Sequence, residues 1–253
     1  MTRKALMAGN WKMHMSAVDG CRLAADVAAA CKKYDDREVL LAPPYTILSE
    51  VSHVLSDTDI HLASQNICWE EKGAFTGEIS PTMLKDAGGS AAIIGHSERR
   101  QIFLETDEMV NKRLKGAIEF GLVAVFCIGE TLEERKSDRT FEVLEQQVRK
   151  GLAGVNADGM QQVVIAYEPV WAIGTGVTAS KEQAQEVHEF LRELILKMYQ
   201  KSVADAIRIL YGGSVKPTNV DELMSQKDID GVLVGGAALD AESFGRIINF
   251  EKM

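Results

Sequence analysis

Val163-Val164-Ile165-Ala166-Tyr167-Glu168-Pro169 is the stretch that decides the reading of this chain. Five apolar residues follow one another without the alternation of a strand that has one wet face. The run therefore predicts a strand over 163–167 that is buried on both sides. It ends on a carboxylate. Working outward, the same kind of continuous run recurs at 5–9, 39–42, 60–63, 91–95, 122–128, 207–211 and 231–234. The intervening segments carry helical periodicity. One spans 18–31 and is rich in alanine; another spans 181–199, where Val187, Phe190, Leu191, Leu194, Ile195 and Met198 recur every three or four residues. Ser180 and Gln183 form a capping box at the start of the second.

A strand followed by a helix, repeated eight times at roughly 30 residues per unit, implies a parallel sheet with crossover helices. In 253 residues this fits a single-domain α/β fold, a (β/α)₈ barrel of eight parallel strands ringed by helices. An open doubly wound sheet uses the same alternation and stands as the alternative. No linker, low-complexity tract or domain boundary interrupts residues 1–253. One connection, 66–80, is unusually long and carries Trp69, Gly73, Phe75 and Gly77. Long ordered loops are usually functional, and exposed aromatics point to a partner surface, most simply a second copy of this chain.

With 46% hydrophobic and 26% charged residues, the composition is that of an ordinary soluble globular protein. No apolar run reaches the roughly 18–20 residues that would span a membrane. Met1-Thr2-Arg3-Lys4 precedes an apolar run too short for a leader peptide, so a cytoplasmic location is expected. The net charge of −9 argues against nucleic-acid binding. It also means that an anionic ligand would need local positive potential against the global field. Cys21, Cys31, Cys68 and Cys127 form no C-x-x-C pair and suit neither a zinc site nor a disulfide framework; they are expected to be free thiols.

The polar residues that follow the runs carry the chemistry. Asn10 and Lys12 follow the first, His96 the fourth, Glu168 the sixth, Gly212-Gly213-Ser214 the seventh and Gly235-Gly236 the eighth. In a barrel these positions share the rim at the C-terminal ends of the strands, where active sites form. Glu168 is placed as a general base beneath a lid over 169–179. Pro169 holds the start of that loop extended, Gly174 and Gly176 free its far end, and Val170, Trp171 and Ile173 would exclude water. Each glycine pair lets backbone N–H groups converge at a helix start, which with Ser214 suits a phosphate. His96 opens a short helix whose positive end disfavours the imidazolium, leaving a neutral ring that can donate to a carbonyl. Turned into the mouth, Lys12 is the cation an anionic substrate requires, and Glu98 could pair with it.

Asn10-Trp11-Lys12, Gly95-His96-Ser97-Glu98, the run from Ala166 to Gly176, Tyr211-Gly212-Gly213-Ser214-Val215 and Val234-Gly235-Gly236-Ala237 closely resemble the triosephosphate isomerase family, in the same order and over nearly the whole chain. The resemblance implies a TIM barrel and a homodimeric enzyme of glycolysis and gluconeogenesis, without cofactor or metal. It would interconvert dihydroxyacetone phosphate and D-glyceraldehyde 3-phosphate. By this likeness Glu168 moves the proton and neutral His96 acts as electrophile and shuttle. Lys12 stabilises enediolate and phosphate charge, with Asn10 lining the site. Gly174, Ser214, Gly235 and Gly236 hold the phosphate. Glu98 supports Lys12 or relays protons, and Cys127 supports the site near Glu168. Thr76, at the tip of the long loop, would buttress the active-site region of a second copy, in an interface with Phe75, Gly77 and Met15. The chain departs from the pattern at Ala238, where many members carry serine, and at His14 and Met15, where members vary.

Two other classes stand as alternatives. A Schiff-base aldolase would need a nucleophilic lysine at a strand end near the barrel centre. The sixth run ends instead in Glu168, and Lys12 is the only lysine close behind a run. A noncatalytic barrel would have no need to retain Glu168, His96, Lys12 and the lid together.

Overall fold

The computed structural model describes residues 3–31, 34–172 and 179–251. Its strands are β1 Ala5–Asn10, β2 Arg37–Ala42, β3 His61–Ser64, β4 Ala91–Ile94, β5 Val123–Ile128, β6 Val163–Tyr167, β7 Arg208–Tyr211 and β8 Gly231–Val234. Each pairs in parallel with the next, and β8 returns to β1 with Leu6 opposite Gly231, so the sheet closes into an eight-stranded barrel. Closure excludes the open doubly wound alternative.

Alternation along each strand sorts the core into two layers. Leu6, Ala8, Leu40, Ala63, Ile93, Val125, Cys127, Val164, Ala166, Leu210 and Leu233 pack with one another inside the barrel. Their neighbours, among them Met7, Leu41, Phe126 and Ile165, face outward and join the apolar sides of the helices. Burying each such side chain contributes about 1.5–3 kcal/mol, which is why both faces of every strand are apolar. The helices on that outer layer are α1 Ala17–Ala30, α2 Leu48–Val54, α3 Pro81–Asp86, α4 Ser97–Ile102, α5 Asp107–Glu119, α6 Leu132–Lys136, α7 Thr140–Gly151, α8 Lys181–Met198, α9 Lys201–Ala206, α10 Val220–Met224 and α11 Ala241–Ile248. Ser180 and Gln183 cap α8 reciprocally. Helices α1 and α8 lie within one residue of their expected bounds.

The start of β2 is two residues earlier than the apolar run implies, because its polar residues are paired. Arg37 lies between the rings of Tyr34 and Phe250, at 3.9 and 3.8 Å. Glu38 meets Arg208 of β7 at 2.6 Å. The long connection runs without helix or strand from Gln65 to Ile79. Its ends are tied by Cys68 N–H donating to Ile79 O at 2.8 Å. Buried Arg113 donates to Ile67 O and, at 2.8 Å, to Glu78. Residues 70–77 are exposed, with Trp69 and Phe75 packed edge to face at 5.8 Å. Among the described residues no helix is long and apolar enough to cross a membrane.

Candidate active site

The same alternation that fills the barrel aims the site. Residues 6 and 8 of β1 and 164 and 166 of β6 point inward, so Asn10 and Glu168, two residues further along each, cap the barrel interior at its C-terminal end. Glu168 is only 2% exposed. Its N–H donates to Ile128 O at 2.7 Å. One carboxylate oxygen accepts from Ser97 N–H at 3.1 Å, and the other lies 3.1 Å from His96 Nε2. Burial alone would raise its pKa, but His96, the Ser97 N–H and Lys12 outweigh burial and hold the carboxyl below the ordinary glutamate value.

Gly95, with φ at +74°, turns the chain at the end of β4 so that His96 caps α4. His96 Nδ1 accepts the Glu98 N–H at 3.2 Å. Only a ring with its proton on Nε2 and none on Nδ1 can accept there, so the neutral tautomer presents an N–H to Glu168 and the cavity. Burial disfavours the imidazolium, whereas the facing Glu168 and, more weakly, Glu98 favour it; the balance lies upward of the ordinary histidine value. This corrects the direction expected from the helix end alone, since a carboxylate at 3.1 Å outweighs a helix dipole.

Lys12 sits at φ +52°, a conformation that strains a side-chain-bearing residue and needs anchoring on several sides. Asn10 Oδ1 accepts its N–H at 2.9 Å, and Gln65 Nε2 donates to its carbonyl at 2.7 Å and to Ala42 O at 2.9 Å. Its ammonium reaches Glu98 at 2.6 Å. Two glycines give Glu168 its space. A Cβ on Gly212 would lie 2.8 Å from Glu168 Cγ, and one on Gly129 would lie 1.8 Å from Glu168 O.

Asn10, Lys12, His96, Glu168, Ser214, Gly235 and Gly236 thus line one cavity of about 380 Å³, together with Gly212 and Gly213. That is room for a small ligand. Glu98 stands beside it, paired with Lys12. Cys127 is buried in the barrel interior; burial first, then the charge of Glu168, push its thiol well above the ordinary value, so it is no nucleophile at neutral pH. Gly174 and the rest of 173–178 lie outside the described residues; of the expected lid, only 169–172 and 179 are described. Thr76, Phe75, Gly77 and Met15 are not among the residues that line the cavity. Among the described residues no three His, Cys, Asp or Glu side chains gather as a metal ion would require.

Sequence reasoning missed Gln65 and Glu130. Glu130 is fully buried, and one of its oxygens accepts from Tyr167 Oη at 3.1 Å, Trp171 Nε1 at 2.9 Å and Arg135 at 3.1 Å. It thereby ties the first turn of the lid segment to the end of β5. Both residues follow a strand within two positions, so the strand-end criterion that found Asn10 and Glu168 would also have found them.

The geometry has counterparts among known proteins. The family model described as triosephosphate isomerase matches residues 5–251. A triosephosphate isomerase of Geobacter metallireducens is 54% identical over 249 residues, covering 98% of this chain and 99% of the relative. One of Syntrophotalea carbinolica is 52% identical over 249 residues with the same coverage. One of Thermoanaerobacter pseudethanolicus is 50% identical over 248 residues, covering 98% of this chain and all of the relative. Matched from the start of β1 to beyond the end of α11, and carrying its carboxylate, imidazole and ammonium at the mouth of the barrel, the chain belongs to the triosephosphate isomerase family.

Proposed function

We propose that this chain interconverts dihydroxyacetone phosphate and D-glyceraldehyde 3-phosphate through an enediolate, with Glu168 as the base. The observation that carries the reading is the facing pair of Glu168 and His96 Nε2 at 3.1 Å, in a cavity whose other wall is Lys12 and two glycine turns. Glu168 takes a proton from the carbon next to the substrate carbonyl and delivers a proton, exchangeable with solvent, to the carbonyl carbon, while His96 moves a proton from the hydroxyl oxygen to the former carbonyl oxygen. No net proton is lost, and the sugar changes from ketose to aldose. A carbon acid of this kind is too weak for a carboxylate unaided. Oriented donors at the developing oxyanion offset the difference by about 3–4 kcal/mol each. His96 supplies one such donor through Nε2, and the Lys12 ammonium a second charge.

The Glu168 carboxylate is engaged by Ser97 N–H and His96. Substrate must draw it away from Ser97, and its remote phosphate can supply the binding energy for that step. Ser214 and the N–H groups of Gly235 and Gly236 hold the phosphate. Closure of 169–179 would exclude water and keep the enediolate from expelling phosphate. The reaction as written calls for no cofactor.

The reading includes a homodimer and a cytoplasmic location, where phosphorylated trioses are made and consumed. Exposed apolar side chains support the dimer. Met13 is 94% exposed, and Ile102, Phe103, Leu104 and Phe75 are also open. Thr76, Gly77 and Met15 would join that interface. A coupled assay of D-glyceraldehyde 3-phosphate isomerisation beside Glu168→Gln tests the proposal. Fast turnover that the variant loses is the expected result; wild-type turnover in Glu168→Gln would remove Glu168 from the base role.

A further inference from the structure

Gly129 follows β5 and so has no sheet partner for its own N–H and C=O. Gln147 of α7 supplies both. Gly129 N–H donates to Gln147 Oε1 at 2.8 Å, and Gln147 Nε2 donates to Gly129 O at 3.1 Å. The carboxamide therefore clasps one residue of backbone through both of its polar groups. The backbone of Glu168 also packs on Gly129: a Cβ there would stand 1.8 Å from the Glu168 carbonyl oxygen. The residue before Gly129 accepts Glu168 N–H through Ile128 O at 2.7 Å, and the residue after it accepts Val170 N–H through Glu130 O at 3.1 Å. The Glu130 carboxylate holds Trp171. The backbone from 128 to 130 is thus the bed for residues 168 to 171. Gln147 is held by its own helix, with Leu144 and Val148 on either side of it buried.

We propose that Gln147 is a positioning residue, which fixes the bed of Glu168 by clasping Gly129 and so sets where the base stands when it meets substrate. The inference rests on the base role proposed for Glu168. It touches no reacting atom, and nothing in it requires Gln147 to contact substrate. Removing the clasp leaves the cavity walls that hold phosphate in place, so the effect belongs in turnover rather than in binding.

The test replaces Gln147 by Met, which keeps length and bulk but neither hydrogen bond, and by Glu, which keeps an acceptor for Gly129 N–H and sets a carboxylate oxygen against Gly129 O. Turnover and KM are measured beside wild type and Glu168→Gln, with unfolding midpoints to select conditions where each variant is folded. Isomerisation of substrate deuterated at the transferred position is compared with the protium form. The expected result is a kcat about tenfold lower in Gln147→Met, a KM within about twofold, and a larger deuterium effect on kcat, because a misplaced base slows proton transfer selectively. Gln147→Glu should move in the same direction, and it decides the matter if the Met variant does not fold. Wild-type turnover in a folded variant would overturn the inference. So would lowered stability with an unchanged deuterium effect, which is what a merely structural residue gives. An active Glu168→Gln would instead overturn the base assignment itself, and the two failures are distinguishable.

Discussion

Gly212→Ala places one methyl group against the base and, less closely, against the Tyr167 carbonyl. Gly212 does not have positive φ, so alanine meets no backbone penalty there. Its Cβ would lie 2.8 Å from Glu168 Cγ and 3.3 Å from Tyr167 O. Carbon atoms rest at about 3.5–4.0 Å, so Glu168 Cγ must yield by roughly 0.7–1.2 Å. A misplacement of about 1 Å at a reacting group can lower the rate by about 100-fold. The expected kcat is therefore about 10- to 100-fold below wild type, or ~1.4–2.8 kcal/mol of transition-state stabilisation. KM should stay within about threefold, because phosphate is held two or more residues away. Overpacking of this kind costs about 1–3 kcal/mol of stability, which a urea titration will read. Steady-state kinetics at a temperature where both proteins are folded decide the outcome. An unchanged kcat would refute the claim that the position of Glu168 sets the rate. A raised KM with unchanged kcat would place the disturbance in the phosphate turn instead.

Further expectations follow from the same geometry. Lys12→Met removes the ammonium that faces the cavity while keeping its stem; KM for either triose phosphate should rise at least about tenfold and kcat should fall, and unaltered kinetics would contradict the anion-binding role of Lys12. His188 is wholly buried, and burial first, with Arg192 adding to it, lowers its pKa from 6.5 to about 3. The unfolded chain binds that proton below pH 6.5 and the folded chain does not until pH is about 3, so stability is lost as pH falls through this window. The slope is up to about 1.4 kcal/mol per pH unit, and His188→Asn should show a shallower slope of urea-unfolding free energy against pH; parallel slopes would refute the assignment. Deleting the exposed tip 70–77 should yield monomers of low activity, and sedimentation of an intact, active dimer would contradict the interface.

The barrel was legible because its strands are buried on both faces, which leaves continuous apolar runs such as Val123 to Ile128. Closure was not, since an open sheet is built from the same runs; it rests on the pairing of Leu6 with Gly231, which joins the two ends of the chain. Polar strand starts were hidden as well. Arg37 and Glu38 read as loop until Phe250 and Arg208 are beside them. In the site, residue type exposed Glu168, His96 and Lys12. It could not expose Ser97, which acts through backbone N–H, nor the spatial role of Gly129 and Gly212, whose contribution is the absence of a Cβ. The neighbour that most favours a proton on His96, Glu168, is 72 residues away in sequence and only 3.1 Å away in space, so the sequence around His96 shows the helix end alone.

The central claim is that Glu168 moves a proton between adjacent carbons, and isomerisation in heavy water tests it most directly. Dihydroxyacetone phosphate is incubated in deuterium oxide with wild type and with Glu168→Gln, and deuterium at the carbon next to the carbonyl is read by NMR. Proton transfer through a carboxylate that exchanges with solvent predicts deuterium in the product formed by wild type, and neither product nor exchange on the same timescale with the variant. Product free of deuterium, or exchange that persists at the wild-type rate in Glu168→Gln, would contradict the account.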